Sequence, residues 1–314
     1  MERTVAVVGA GLIGRAWSMV FARAGWRVRV HDSDPSQLRA AQSYIAAGLD
    51  EQAEFGLVAD PDSARARIAY VAAIEEAVAG SDWVQENLPE TLEAKRAAFA
   101  TLDRLAPAAA VLASSTSAIP ASQFTETLSG RARCLVAHPV NPPHLVPVVE
   151  LCGAPWTSPA VIERAQRIYA DVGQVPIIVR RELDGFILNR LQGALLSEAM
   201  RLVGEGYVSP QDLDKTVCDG LGLRWSFMGP LATIELNAPG GVADYCMRYS
   251  GFYRRLAAAP AAPDVWDAAN AAKVGAALGR SASASEIAAR MRWRDRRLMA
   301  LVAHKRDQSE GGAL

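Results

Sequence analysis

Residues 135–143 read LVAHPVNPP, an apolar run of the kind found in buried strands that ends in His138 and is stopped by prolines. An imidazole carried to the end of a strand is placed to act as a general base at the rim of a sheet. Glu150 closes the next apolar run, VPVVE, and neighbouring strand ends bring such a carboxylate and imidazole together. A carboxylate on one ring nitrogen fixes the tautomer and stabilises the imidazolium, which makes the other nitrogen the better base. Ser117, in SSTSAIP after the run AVLA, offers a hydroxyl at the same rim. Asn189, in GFILNR, offers a carboxamide from a following helix. Taken singly, each has an ordinary alternative: a structurally satisfied histidine, a helix cap, a solvated helix face.

Such side chains need a scaffold, and the first half of the chain describes one. TVAVVGAGLIG is a short strand entering a glycine turn, RAWSMVFARAG a helix ended by Gly25, and WRVRVHD a second strand ending at Asp32. A long helical stretch from about Pro35 to Phe55 follows, then apolar runs RIAYV, DWVQE, AVLASS, RCLVAH, VPVVEL and VPIIVR with helix-like segments between. Strands alternating with helices predict an α/β fold, a doubly wound and mostly parallel sheet. After about Arg181 the strands cease. DGFILNRLQGALLSEAMRLVGEG is a long helix candidate, and SPQDLDKTVCDG opens on a serine cap with Pro210 at the first helical position and closes on glycine. The expected division is a Rossmann-type domain over 1–182 and an all-α domain over 183–314.

The segment GAGLIG, Gly9, Gly11 and Gly14 with Leu12 and Ile13 between them, follows a strand, opens a helix and precedes an acidic strand end at Asp32. That context is what a dinucleotide fingerprint requires. Gly9 permits the tight turn, Gly11 lets a pyrophosphate approach the backbone, and Gly14 lets helix and strand pack closely. Asp32 accepts hydrogen bonds from the adenosine ribose, and with Asp34 it repels a 2′-phosphate, so NAD is expected over NADP. Asp34 by itself also reads as a helix cap.

Bulk properties exclude other classes. The chain has 314 residues, half of them hydrophobic and 21% charged, with a formal net charge of -1. Nucleic acid and anionic membrane are poor partners for that balance. The basic segment RMRWRDRRLMALVAHKR is expected to be a packing helix, with Met291, Trp293, Leu298, Leu301 and Val302 on its apolar side. Four cysteines and four histidines show no metal-ligand spacing, so no metal is expected. The strand that starts a few residues in leaves no room for a signal peptide, and no apolar stretch reaches the roughly 18 residues that span a bilayer, so the cytoplasm is expected.

Together these motifs resemble the 3-hydroxyacyl-CoA dehydrogenase superfamily over nearly the whole chain, through GAGLIG, STS, HPVNPP with the later Glu150, and GFILNR. The resemblance implies a catalytic set of Ser117, His138, Glu150 and Asn189. It also places Glu90 and Lys95, in ENLPETLEAK, near the nicotinamide half of NAD, and implies a homodimer. VAHPVNPPHLVPVVEL, EGYVSPQDLD, GLGLRWSFMGPL and the late RWRD resemble the branch containing lambda-crystallin and L-gulonate 3-dehydrogenase. Fatty-acid enzymes of the superfamily typically carry HFFNP where this chain has HPVNPP, and GYPMGP where it has GLGLRWSFMGP.

Arg224, within that last insertion, is the most informative departure. A guanidinium fork binds a carboxylate bidentately, which a free hydroxy acid offers and a thioester does not. An arginine paired inside the helical domain or at a dimer contact is the structural alternative. The expectation is NAD-dependent oxidation of a small free 3-hydroxy acid, L-gulonate-like or short, to the 3-keto acid, with His138 as base and Arg224 on the carboxylate. The alternatives are L-carnitine dehydrogenase, whose relatives share GLRW and for which Trp225 and Phe227 would suit a trimethylammonium group, and 3-hydroxyacyl-CoA dehydrogenase. A non-enzymatic crystallin-like or NAD-sensing role is the third.

Overall fold

The computed structural model describes residues 3–279 and 283–308. Strands β1 (Thr4–Val8), β2 (Arg27–His31), β3 (Ile68–Val71), β4 (Trp83–Glu86), β5 (Val111–Ser114), β6 (Cys134–Pro139), β7 (Val148–Gly153) and β8 (Val175–Val179) form one sheet. Their order is β3-β2-β1-β4-β5-β6-β7-β8. All neighbours run parallel except β6 and β7. The Rossmann-type sheet that the alternation implies is therefore present, with one antiparallel pair near its edge.

Helices cover both faces, which is why β1, β4, β5 and β6 are buried along their length. On one face Leu12–Arg23, Pro35–Glu54 and Pro159–Asp171 bury Trp17, Phe21, Ile45, Leu49 and Tyr169 against Val5, Val7, Trp83 and Leu135. On the other, Leu92–Leu105 buries Phe99 and Leu102 against Ala6, Val8, Val84 and Leu112. Strand order reverses between β1 and β4, and the crevice beyond their carboxyl ends is where doubly wound sheets bind ligands.

The chain separates into two compact units, one of Met1–Asn189 with Ala289–Ser309 and the other containing Arg190–Ala288. The late segment thus groups with the sheet, although the sequence division places it in the helical domain. Its helix, Ala284–Asp307, buries Met299, and Arg296 pairs with Glu54 at 3.0 Å while its guanidinium lies 5.1 Å from the Phe55 ring centre. Trp293 and Leu301, expected on the apolar side, are exposed instead.

The second unit is helical, comprising Pro210–Lys215, a π-helical turn Thr216–Leu221, Gly222–Trp225, Pro230–Leu236, Gly241–Ala257 and Ala268–Leu278. Ser209 caps the first of these, its hydroxyl accepting the Asp212 N–H at 3.1 Å, as its sequence signature implies. The helical path does not close at Gly220; it runs on through the π-turn into the segment carrying Arg224. No described helix is long and apolar enough to cross a membrane.

Candidate active site

His138 and Glu150 stand directly opposite each other in the β6–β7 ladder. Glu150 is near the start of β7 rather than at a strand end, because β7 runs antiparallel and begins where β6 finishes. Glu150 Oε2 lies 2.8 Å from His138 Nδ1, and both side chains are buried. Oε1 accepts the backbone N–H of Ile187 at 2.9 Å and of Leu188 at 3.0 Å. Burial on its own raises the Glu150 carboxyl, but the bonds from His138, Leu188 and Ile187 outweigh it and hold the group below the usual carboxylate range. With Nδ1 turned to a carboxylate, Nδ1 carries the proton and Nε2 presents a lone pair. Nε2 makes no hydrogen bond among the described residues.

The same two N–H bonds explain where the next helix starts. The sequence predicts a helix from about residue 184, but it runs Leu188–Gly204. Gly185 and Phe186 both adopt positive φ, 72° and 47°, and the turn they make delivers the N–H groups to Glu150. The Phe186 ring packs 5.5 Å from the His138 ring. Neither role is visible in the sequence beyond the DGF triplet.

Asn189, the second residue of that helix, donates from Nδ2 to the Ser117 carbonyl at 2.9 Å. The Ser117 loop is tied down elsewhere as well. Glu90 Oε1 accepts the Thr116 hydroxyl and the N–H groups of Ser117 at 3.0 Å and Ala118 at 3.1 Å. The Ile119 N–H bonds Thr116 Oγ1 at 3.0 Å, and the Thr116 N–H bonds Ser114 Oγ at 3.2 Å. The Ser117 hydroxyl itself has no partner among the described residues and is exposed. Hence His138, Glu150, Asn189 and Ser117 belong to one connected set, in which the free functional atoms are the imidazole Nε2, one Asn189 N–H and the Ser117 hydroxyl.

Glu90 and Lys95, expected near the nicotinamide half of the cofactor, each bond to neighbouring protein groups. Glu90 grips the Ser117 loop. Lys95 is buried, and its three N–H donors all have partners: Glu86 Oε1 and Oε2 at 2.9 and 3.0 Å and the Leu88 carbonyl at 3.0 Å. Glu86, which the sequence reading did not single out, is the buried partner. A lysine at that spacing looks like a surface helix residue, so composition carried no signal for the pair.

The glycine turn has the geometry that a dinucleotide needs. Gly9 has φ +97°, and a Cβ there would meet the Asn87 carbonyl oxygen at 2.8 Å. At Gly14 a Cβ would meet the Gly9 oxygen at 1.9 Å, whereas at Gly11 nothing lies within 4 Å. The open side of Gly11 and the uncapped N-terminus of Leu12–Arg23, which opens with Leu12 and Ile13, leave room and backbone donors for a pyrophosphate. Asp32 accepts the N–H of Ala10 at 2.8 Å and of Asp34 at 3.0 Å, which fixes its carboxylate over the turn with acceptor capacity remaining for ribose hydroxyls. Asp34 caps the helix Pro35–Glu54, accepting the Ser36 N–H at 2.7 Å.

The 3-hydroxyacyl-CoA dehydrogenase NAD binding domain model matches residues 4–183, and the C-terminal domain model of the same family matches residues 185–282. The chain belongs to the 3-hydroxyacyl-CoA dehydrogenase family. It is accordingly an NAD-dependent dehydrogenase acting on a CH–OH group. It is 41% identical to lambda-crystallin of Oryctolagus cuniculus over 96% of both chains. It is 39% identical to L-carnitine dehydrogenase of Streptomyces griseus over 77% of this chain and 72% of that one. Among solved structures it is similar to the NAD+ dependent dismutase 5-formyl-3-hydroxy-2-methylpyridine 4-carboxylic acid 5-dehydrogenase, with a TM-score of 0.82 and 27% identity, covering 96% of this chain and 97% of that one.

Arg224 lies in the helical unit on the short helix Gly222–Trp225, exposed to solvent. Its guanidinium makes no ion pair and no side-chain hydrogen bond among the described residues. The structural alternative of a pairing within the helical domain is not what is observed. Leu223, Trp225 and Phe227 around it are also exposed.

Proposed function

We propose that this enzyme oxidises the 3-hydroxyl of a small free hydroxy acid of the L-gulonate type to the 3-keto acid, with His138 as general base. The observation that carries the reading is the Glu150-held imidazole with Nε2 unengaged. Bound NAD supplies the hydride acceptor. At the carbinol carbon the C–H pair leaves as hydride, and the hydroxyl proton passes to His138 Nε2 as the C=O bond forms. Glu150 balances the imidazolium, and the Ser117 hydroxyl and the remaining Asn189 N–H bond the oxygen that changes from alcohol to ketone. Arg224, an uncommitted guanidinium, binds the carboxylate. The enzyme works as a homodimer in the cytoplasm, where its four unpaired cysteines suit a reducing medium.

A second reading is supported by the L-carnitine dehydrogenase relatives and by the exposed rings of Trp225 and Phe227 next to Arg224 in the chain, which would suit a trimethylammonium group. NADH formation with L-gulonate, L-carnitine, L-3-hydroxybutyrate and 3-hydroxybutyryl-CoA side by side tests both. L-gulonate is expected to be turned over best. Preference for carnitine selects the second reading, preference for the thioester removes Arg224 from the substrate, and NAD binding without turnover of any favours a crystallin-like or sensing role. His138→Ala should lower kcat by about 10²- to 10⁴-fold while NADH still binds. Arg224→Met should raise KM for the acid and leave KM for NAD unchanged.

A further inference from the structure

Within the helical unit, Pro210–Lys215, Thr216–Leu221 and Gly222–Trp225 follow one another without a break. Lys215, Thr216, Leu221 and Gly222, at the two joints, all have right-handed helical backbone angles. The three pieces are therefore one helix with a π-turn in its middle. Such turns are rare and concentrate at functional sites, because a bond reaching five residues back takes one extra residue into the turn. Here the Gly222 N–H donates to the Val217 carbonyl, five residues back. A Cβ on Gly222 would stand 2.9 Å from that carbonyl oxygen, whereas one on Gly220 would meet nothing within 4 Å. Glycine at 222 lets the wide turn close.

The extra residue decides which side chain faces outward. Before the turn, Leu213 and Val217 are half-buried while Asp212, Asp214, Lys215 and Thr216 are exposed, which marks the inward face. Arg224 lies 11 residues after Leu213. That is about three turns of a 3.6-residue helix, so an unbroken α-helix would set Arg224 about 20° from Leu213, on the inward face. With one residue taken up by the π-turn, that place passes to Trp225. Trp225 is accordingly 40% exposed against 65% for Leu223, and Arg224 stands outside.

We propose that the π-turn is a specificity device, which turns Arg224 off the packed face of its helix and presents the guanidinium to the carboxylate of a free hydroxy acid. Gly222, which permits the turn, is a positioning residue for Arg224. The inference rests on the reading of Arg224 as the partner of the substrate carboxylate. A guanidinium fork binds a carboxylate through two parallel bonds, so its direction matters as much as its charge.

The experiment sets Gly222→Ala, Gly220→Ala and deletion of Gly220 each in the parent and in the Arg224→Met background. It reads kcat, KM for the free acid turned over best, KM for NAD, and thermal midpoint. Deleting Gly220 removes the extra residue and swings Arg224 by about 100° toward the inward face. KM for the acid should rise about tenfold or more, with KM for NAD within about twofold of the parent. Gly222→Ala pushes the Val217 carbonyl off its bond and should raise the same KM. Gly220→Ala adds the same methyl two residues away and should leave that KM at the parent value. In the Arg224→Met background neither the deletion nor Gly222→Ala should raise KM further, because the group they displace is gone. A rise that persists there would make the turn part of the fold alone and overturn the proposal. Should the deletion not fold, Gly222→Ala against Gly220→Ala decides, and equal KM in the two rejects the proposal. An unchanged KM in Arg224→Met itself discards the carboxylate reading and this proposal with it. A raised KM in Arg224→Met with no effect of the turn variants discards the proposal and leaves that reading standing.

Discussion

His138 and Glu150 owe their contact to backbone register, since an antiparallel pair sets directly opposed side chains within reach on one face of the sheet. Glu150 is held below the usual carboxylate range, so acidifying from neutrality into that range leaves the dyad's carboxylate ionised. The other histidine of this region behaves in the opposite sense. His144 is buried, Arg23 donates to its backbone carbonyl at 2.8 Å, and its Nδ1 has no partner. Burial first, then the Arg23 and Arg294 charges, push its imidazole down to about 3 from an ordinary 6.5. Between those values the unfolded chain binds a proton that the folded chain refuses, so stability is complete above pH 6.5 and falls as the medium is acidified. By pH 5 the loss from this one group is about 2 kcal/mol. Urea unfolding at pH 7 and pH 5 should show His144→Leu losing about 2 kcal/mol less than the parent between the two. An equal loss in both would place the acid sensitivity elsewhere.

At the scale of elements, the glycine turn separates packing from binding. Gly14→Ala drives a methyl onto the Gly9 carbonyl and is expected to abolish the folded enzyme, whereas Gly11→Ala meets nothing within 4 Å. Gly11→Ala should therefore keep the parent's thermal midpoint without cofactor and bind NADH about tenfold more weakly, because its methyl occupies the side where the pyrophosphate approaches. A midpoint lowered in step with affinity would mean that Gly11 serves the fold. The sequence was legible here, since glycine spacing, strand alternation and the caps at Asp34 and Ser209 are local properties of the chain. Strand direction is not local: VPVVEL reads the same whichever way β7 runs, so Glu150 was expected at a strand end and lies near a strand start. Helix faces failed for a related reason. Trp293 and Leu301 fit an apolar stripe on their own helix, but both are exposed while Met299 is buried, because the burying face is set by what the helix packs against and not by its own pattern. Lys95 is the extreme case, because a lysine in a helix gives no sign of a buried carboxylate waiting on a neighbouring strand.

Over the whole molecule, apolar surface is unevenly distributed. The central strands of the sheet are covered by helices, but within Arg190–Ala288 Leu191, Leu223, Phe227, Leu231, Leu236 and Met247 are each between 65% and 77% exposed. Single exposed apolar residues need no account, but this many large ones in one helical unit is the composition of an interaction surface. The formal net charge of -1 gives nucleic acid little overall attraction, and no described helix is long and apolar enough to cross a membrane. The homodimer proposed above would cover such residues with a second copy of the chain, in a two-fold arrangement where the same surface meets itself. Sedimentation equilibrium should accordingly give twice the chain mass at micromolar protein. Met247→Glu together with Leu236→Asp, placing charge on the exposed faces of two helices of that unit, should shift the equilibrium to monomer and leave the sheet unit's NADH Kd unchanged. A parent chain that sediments as a monomer would instead leave this apolar surface to a different partner or to the substrate.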